Sequence, residues 1–194
     1  MASIDDLCDA CVQGDISTVS KLVDTVCFET KHGYTPLHYA AMSRCRGAES
    51  AGILLSAKVD VAAQTKESKQ AIHLAAENPQ GLDIVRSCLD ARADVDARTL
   101  QARTPLHFAA LEGIADTTRI LLDYNANVNA MNSCGAIPLH WAAKTGKRDL
   151  CDLLVEAKSD LMALDNLGRT PAEMAEDNRR FDVAEALRVQ QARM

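Results

Sequence analysis

The tetrapeptide Thr35-Pro36-Leu37-His38 returns four times along the chain in recognisable form. A unit that recurs at a near-constant interval leaves few folds open. It reappears as Gln70-Ala71-Ile72-His73, Thr104-Pro105-Leu106-His107, Ile137-Pro138-Leu139-His140 and Thr170-Pro171-Ala172-Glu173. The third residue steps from 37 to 72, 106, 139 and 172, intervals of 35, 34, 33 and 33 residues. An alanine pair follows one residue later at Ala40-Ala41, Ala75-Ala76, Ala109-Ala110 and Ala142-Ala143, and shrinks to Ala175 in the last copy. A second block comes next, with apolar residues such as Ile84, Val85, Cys88 and Leu89 at helical spacing. It closes on Ala93-Asp94-Val95-Asp96-Ala97 or Ala126-Asn127-Val128-Asn129-Ala130.

The chemistry of the tetrapeptide is that of a helix start. Threonine can accept from an amide of the first turn, proline at the first helical position gives up an amide that had no partner, and leucine enters the core. Paired alanines keep one helix thin so that neighbours approach closely, while the second helix of each unit carries leucine, isoleucine and valine on one face. A single pair cannot bury that face, so pairs must stack and the end pairs must be modified. These residues resemble the ankyrin-repeat family, over roughly Leu7 to Leu187. The resemblance implies an all-α solenoid of stacked helix-turn-helix units with short hairpin loops, forming a single domain over 1–194. An N-terminal cap is expected at 3–29, internal repeats at 30–64, 65–98, 99–131 and 132–164, and a C-terminal cap at 165–190.

Both caps depart from the motif. The first lacks Thr-Pro, but Ser3 and Asp6 offer a capping box in its place. In the last, Glu173 stands where histidine is expected. The second internal repeat reads as the weakest, because Gln70-Ala71 has lost Thr-Pro. Ser68 and Ala102 also replace the glycine found at Gly33, Gly135 and Gly168, in a turn that needs positive φ. Extra residues around Arg44 to Gly47 and Asn78 to Gln80 predict exposed loops there.

Composition excludes several functions. A net charge of -6 opposes general affinity for nucleic acid. The acidic N-terminus, with Asp5, Asp6 and Asp9, is unlike a secretion signal, and no long apolar run suggests a membrane span. Seven cysteines without regular spacing fit a reducing compartment. An intracellular protein is expected, cytoplasmic with a nuclear location left open. No glycine-rich phosphate loop or GxSxG elbow occurs, so no catalytic residue, cofactor or metal is assigned.

Four histidines, His38, His73, His107 and His140, share one register, which predicts hydrogen bonds to the turn of their own or the next repeat and argues against a catalytic set. His32 lies outside that pattern, on a turn tip. Cys8-x-x-Cys11 resembles half a zinc or redox motif without its second half. A zinc-binding or thiol-dependent enzyme using Cys8, Cys11 and His32 is therefore the competing reading. Asn129 lies in a loop similar to those that asparaginyl hydroxylases modify in ankyrin proteins, which makes it a hydroxylation candidate; the plainer reading is a hydrogen bond to the loop backbone.

The resemblance implies another protein as partner, held by the hairpin tips and the concave face of the inner helices, with the chain acting as adaptor, scaffold or stoichiometric inhibitor and as a monomer. Register then nominates Lys31, His32, Tyr34, Lys66, Lys69, Gln101, Arg103 and Arg169 on the tips, together with Cys134, Asn166 and Leu167. On the inner helices it nominates Met42, Leu111, Trp141 and Lys144, together with Glu77, Asp177 and Asn178. Lys31, Lys66, Lys69, Arg98, Arg103 and Arg169 form a row of basic fingers with only Glu67 and Asp165 against them, which predicts an acidic segment on the partner. The ladder Tyr39, Leu74, Phe108, Trp141 and Met174 supplies either interface anchors or packing between inner helices, the latter favoured.

Overall fold

A short helix survives only if its first amides find acceptors and its apolar face finds cover. The computed structural model, which describes residues 3–23 and 33–193, meets both needs by repetition. Residues up to Leu100 form one compact unit and those from Gln101 onward a second. The first contains α1 (Ile4–Gln13), α2 (Ile16–Leu22), α3 (Pro36–Met42), α4 (Gly47–Ser56), α5 (Ala71–Glu77) and α6 (Leu82–Asp90). The second contains α7 (Pro105–Glu112), α8 (Ala115–Asp123), α9 (Pro138–Thr145), α10 (Arg148–Glu156), α11 (Pro171–Asp177) and α12 (Phe181–Gln191). No strand occurs among the described residues.

Proline occupies the first turn of α3, α7, α9 and α11, as the tetrapeptide predicts. The cap itself works differently from the expectation. A threonine hydroxyl accepts a helix amide only at Thr170, from Glu173 N–H at 3.3 Å. At Thr35 and Thr104 the hydroxyl meets the histidine Nδ1 instead, at 2.8 and 2.9 Å. That nitrogen is an acceptor, because the backbone N–H of the cap residue points at it: Thr35, Gln70, Thr104 and Ile137 donate to His38, His73, His107 and His140 at 3.0 to 3.2 Å. With Nδ1 accepting, the ring proton sits on Nε2. Nε2–H then donates forward, to the carbonyls of Lys69, Ala97, Ala136 and Arg169 at 2.9 to 3.0 Å. Each imidazole thus closes its own helix start and ties it to a hairpin further along the chain.

Burial holds the His38 and His140 rings below the ordinary histidine value. The unfolded chain therefore takes up protons first, and the stability these rings supply is present above about pH 6.5 and is lost as pH falls below it. In the last pair Glu173 accepts the Thr170 N–H at 2.8 Å in a reciprocal capping box. An ionised carboxylate accepts but cannot donate forward as the imidazole Nε2–H does. Ser3 and Asp6 form the same box at the start of α1.

Inner helices stack directly, α1 on α3 on α5 in the first unit and α7 on α9 on α11 in the second. Each also packs on its own outer partner, and the outer helices pack in turn, α2 on α4 on α6 and α8 on α10 on α12. The alanine pairs are fully buried in the inner layer, and Leu54, Cys88, Leu121, Leu154 and Leu187 fill one register of the outer layer. A Cβ at Gly47 would lie 2.4 Å from the Ala40 carbonyl oxygen, and one at Gly81 would lie 2.0 Å from that of Ala75, so backbones touch where the extra residues turn the chain. Those turns expose Arg44, Cys45, Arg46, Pro79 and Gln80 as expected, yet their first residues are buried staples. Asn78 donates to the carbonyls of Ala41 and Ser43, and Ser43 Oγ to that of Val12.

Between the helix pairs, hairpin tips are shaped by one oxygen-bearing side chain. Thr65, Asn132 and Asp165 each accept from the amides two and four residues on. The turn that follows needs positive φ, met by glycine at Gly33, Gly135 and Gly168 but by Ser68 at 55° and Ala102 at 53°. The repeat around Gln70 keeps its backbone cap through His73, so its weakness lies elsewhere: in strained Ser68 and in a buried Gln70 whose Oε1 has no partner. Ser68→Gly and Ala102→Gly should each raise stability by about 0.5–1 kcal/mol, since an L-residue in the left-handed region costs about 1–2 kcal/mol against a smaller entropic cost for glycine. Urea unfolding measures this; an unchanged or lower midpoint would contradict the strain.

Candidate functional site

The hairpins deliver their tip residues beside the C-terminal ends of the inner helices, and the sequence candidates separate there into two groups, one in each unit. Lys31 and His32 lie outside the described residues. In the first unit Tyr34, Met42 and Lys69 line a cleft of about 360 Å³ with Arg44, Leu74, Glu77, Asn78 and Pro79. Tyr34 is half-buried and packs edge-on to His38, with ring centroids 5.7 Å apart, and against Tyr39 at 5.8 Å. In the second unit Trp141, Lys144 and Arg169 line a cleft of about 450 Å³ with Cys134, Ala136, Asp165, Asn166, Leu167, Met174 and Asn178. Lys66 and Gln101 are exposed and Leu111 half-buried, and none of the three lines either cleft.

The second cleft is the more apolar, floored by Trp141 and Met174, with Leu167 three-quarters exposed on the hairpin. Trp141 sits differently from its register partners. Leu74, Phe108 and Met174 are buried, as expected for packing between inner helices, whereas Trp141 and Tyr39 are only half-buried. The Arg103 guanidinium lies 4.9 Å and the Lys144 ammonium 5.1 Å from the indole centroid, so two cations flank one ring. The indole N–H is shielded from solvent without a hydrogen-bond partner.

The row of basic fingers needs correction. Lys69 is held by Glu77 at 3.6 Å and Glu67 at 4.0 Å. Arg169 is gripped by Asp165 at 2.7 Å and Asp177 at 3.1 Å. Burial raises the Asp165 carboxyl, but hydrogen bonds from Arg169 and the hairpin amides outweigh it and leave it below the usual carboxylate range. Glu77 and Asp177 end their helices eight residues after the basic tip, a spacing visible in the sequence once tips and helix ends are known to meet. Positive charge is therefore not spread evenly along the hairpins.

Asn129 is exposed, yet its amide is engaged at both ends: Nδ2 donates to the Lys158 carbonyl at 3.2 Å and Oδ1 accepts from Asp160 N–H at 2.8 Å. Its side chain links two successive hairpins. Cys8 and Cys11 are buried on one face of α1. Cys11 stands in the register of the second alanine of the pair and Cys8 in that of the histidine. Burial pushes both thiols up to about 12, and does the same to Cys88 and Cys151. Thiols so held are poor nucleophiles and poor metal ligands. No group of three metal-ligating side chains converges among the described residues. No described helix is long and apolar enough to cross a membrane.

Iodoacetamide labelling of the native protein, mapped by mass spectrometry, should mark exposed Cys45 and Cys134 well before Cys8, Cys11, Cys88 and Cys151. Labelling of Cys8 or Cys11 at the rate of Cys134 would contradict their burial.

A family model described as ankyrin repeats (3 copies) matches residues 46–132 and 125–193. Among curated proteins no match to the chain is found.

Proposed function

The chain belongs to the ankyrin-repeat family, whose repeats are generally protein-protein interaction modules, and from that premise we propose that it binds another protein without catalysing a reaction. It acts as an adaptor, scaffold or stoichiometric inhibitor, and the partner is received by hairpin tips and inner-helix ends. The observation that carries this reading is Trp141, a large aromatic only half-buried beside an apolar cleft where its register partners Leu74, Phe108 and Met174 are buried. A half-buried indole beside methionine and leucine is the composition of an interface anchor. Repetition supports the rest: local packing makes the scaffold rigid, so the surface is preformed and little ordering is needed on association.

The competing enzyme reading loses its footing with Cys8 and Cys11 in the core. The first-unit cleft around Tyr34, Met42 and Lys69 is smaller and its Lys69 is already paired, so it serves as a secondary contact area.

Affinity capture with wild-type protein and Trp141→Ala, compared alongside thermal unfolding of both, tests the proposal. Truncating a central anchor costs about 2 kcal/mol or more in binding, roughly thirtyfold. The midpoint should shift by only about 2–4 °C per kcal/mol of stability lost. A protein retained by the wild type and lost from the variant is the expected result. Identical captured sets, or a variant that simply unfolds, would overturn the assignment of Trp141 to an interface.

A further inference from the structure

Four pairs of positions relate each hairpin tip to the end of the following inner helix: 69 with 77, 103 with 111, 136 with 144 and 169 with 177. In the first and last pairs a base meets an acid, Lys69 with Glu77 and Arg169 with Asp177. In the pair formed by Ala136 and Lys144 the base meets no acid. Lys144 is exposed, and among the described residues no carboxylate lies within ion-pair distance of its ammonium group, which rests against the Trp141 ring. The ring takes the Arg103 guanidinium as well. In a chain of net charge -6, the Lys144 ammonium thus stands without a resident acid at the rim of the apolar cleft of the second unit.

We infer that this cleft receives a partner segment in which a carboxylate residue adjoins a large aliphatic or aromatic residue. The apolar side chain fills the space between Trp141, Leu167 and Met174, and the carboxylate meets the Lys144 ammonium, displacing water and not a resident acid. The acidic charge of the chain as a whole repels a polyacidic tract, so the recognised feature is one or two carboxylates at a fixed offset from an apolar anchor. This rests on the reading of the cleft as a protein-binding surface, and adds the chemistry of what it binds.

The test is selection of a displayed library of random twelve-residue peptides on the immobilised full chain, with Trp141→Ala and Lys144→Glu in parallel. Lys144 is exposed, so its reversal changes charge without opening the core. The wild type should enrich peptides with Asp or Glu beside Leu, Ile, Met or Phe. The best of them, titrated through the emission of the sole tryptophan, should bind Lys144→Glu at least about tenfold more weakly. Selection on Lys144→Glu should move the preference to Lys or Arg at the same offset. Enrichment that needs Trp141 but shows no acidic preference, or affinity untouched by Lys144→Glu, would overturn this inference and leave the binding surface standing. A library in which no peptide prefers the wild type to Trp141→Ala would overturn both.

Discussion

One hydrogen-bonding pattern underlies the architecture: an imidazole that accepts at Nδ1 from the amide opening its own helix and donates at Nε2 to the next hairpin. Inner helices of seven or eight residues, such as α5 and α7, lie well below the length at which a helix is stable alone. They persist because their first amides are closed and their alanine faces are covered by the neighbouring inner helix. Histidine does both jobs of a connector in one side chain, which neither threonine nor glutamate can do. At Thr170 glutamate performs the local half of the task.

Because these links lie in the interior, the hairpin tips and helix ends are left to vary. Variation there is not free of constraint, since adjacent hairpins are themselves bonded, Ser133 N–H to the Gln101 carbonyl and Asn166 N–H to that of Cys134. What differs from repeat to repeat is side-chain chemistry on a rigid backbone. Two basic tips are neutralised by acids at the following helix ends, while Lys144 beside Trp141 has no carboxylate within ion-pair distance among the described residues.

Much of the fold could be read in advance because the recurrent positions carry unusual residues. Proline at the first helical turn, the alanine pairs and the recurrent histidines each have a single economical explanation at a period near 33 residues, and Cys88 was legible as core because it falls at helical spacing with Ile84, Val85 and Leu89. The mechanism of the cap was not legible: Thr-Pro suggests a threonine cap, whereas the Gln70 and Ile137 repeats, which lack that threonine, make the same backbone bond to histidine. Site charge was misread for a related reason. Ion pairs between residues 69 and 77 or 169 and 177 depend on a hairpin folding back to a helix end, and linear proximity had shown only Glu67 and Asp165. Trp141 was nominated for the partner surface by its register although packing was favoured for its ladder; its half-buried place in the cleft between its helix and the next hairpin is a feature no single repeat reveals.

The ring nitrogens themselves provide the most direct test of this account. Long-range proton-nitrogen correlation spectra of uniformly nitrogen-15-labelled protein distinguish a bare from a protonated imidazole nitrogen. At neutral pH, His38, His73, His107 and His140 should all appear as the neutral form with bare Nδ1 and protonated Nε2, and His38 and His140 should stay neutral at pH values where a free histidine is charged. Protonated Nδ1 in these rings, or titration of His38 and His140 as in an unfolded chain, would contradict the connection on which the stacking is built.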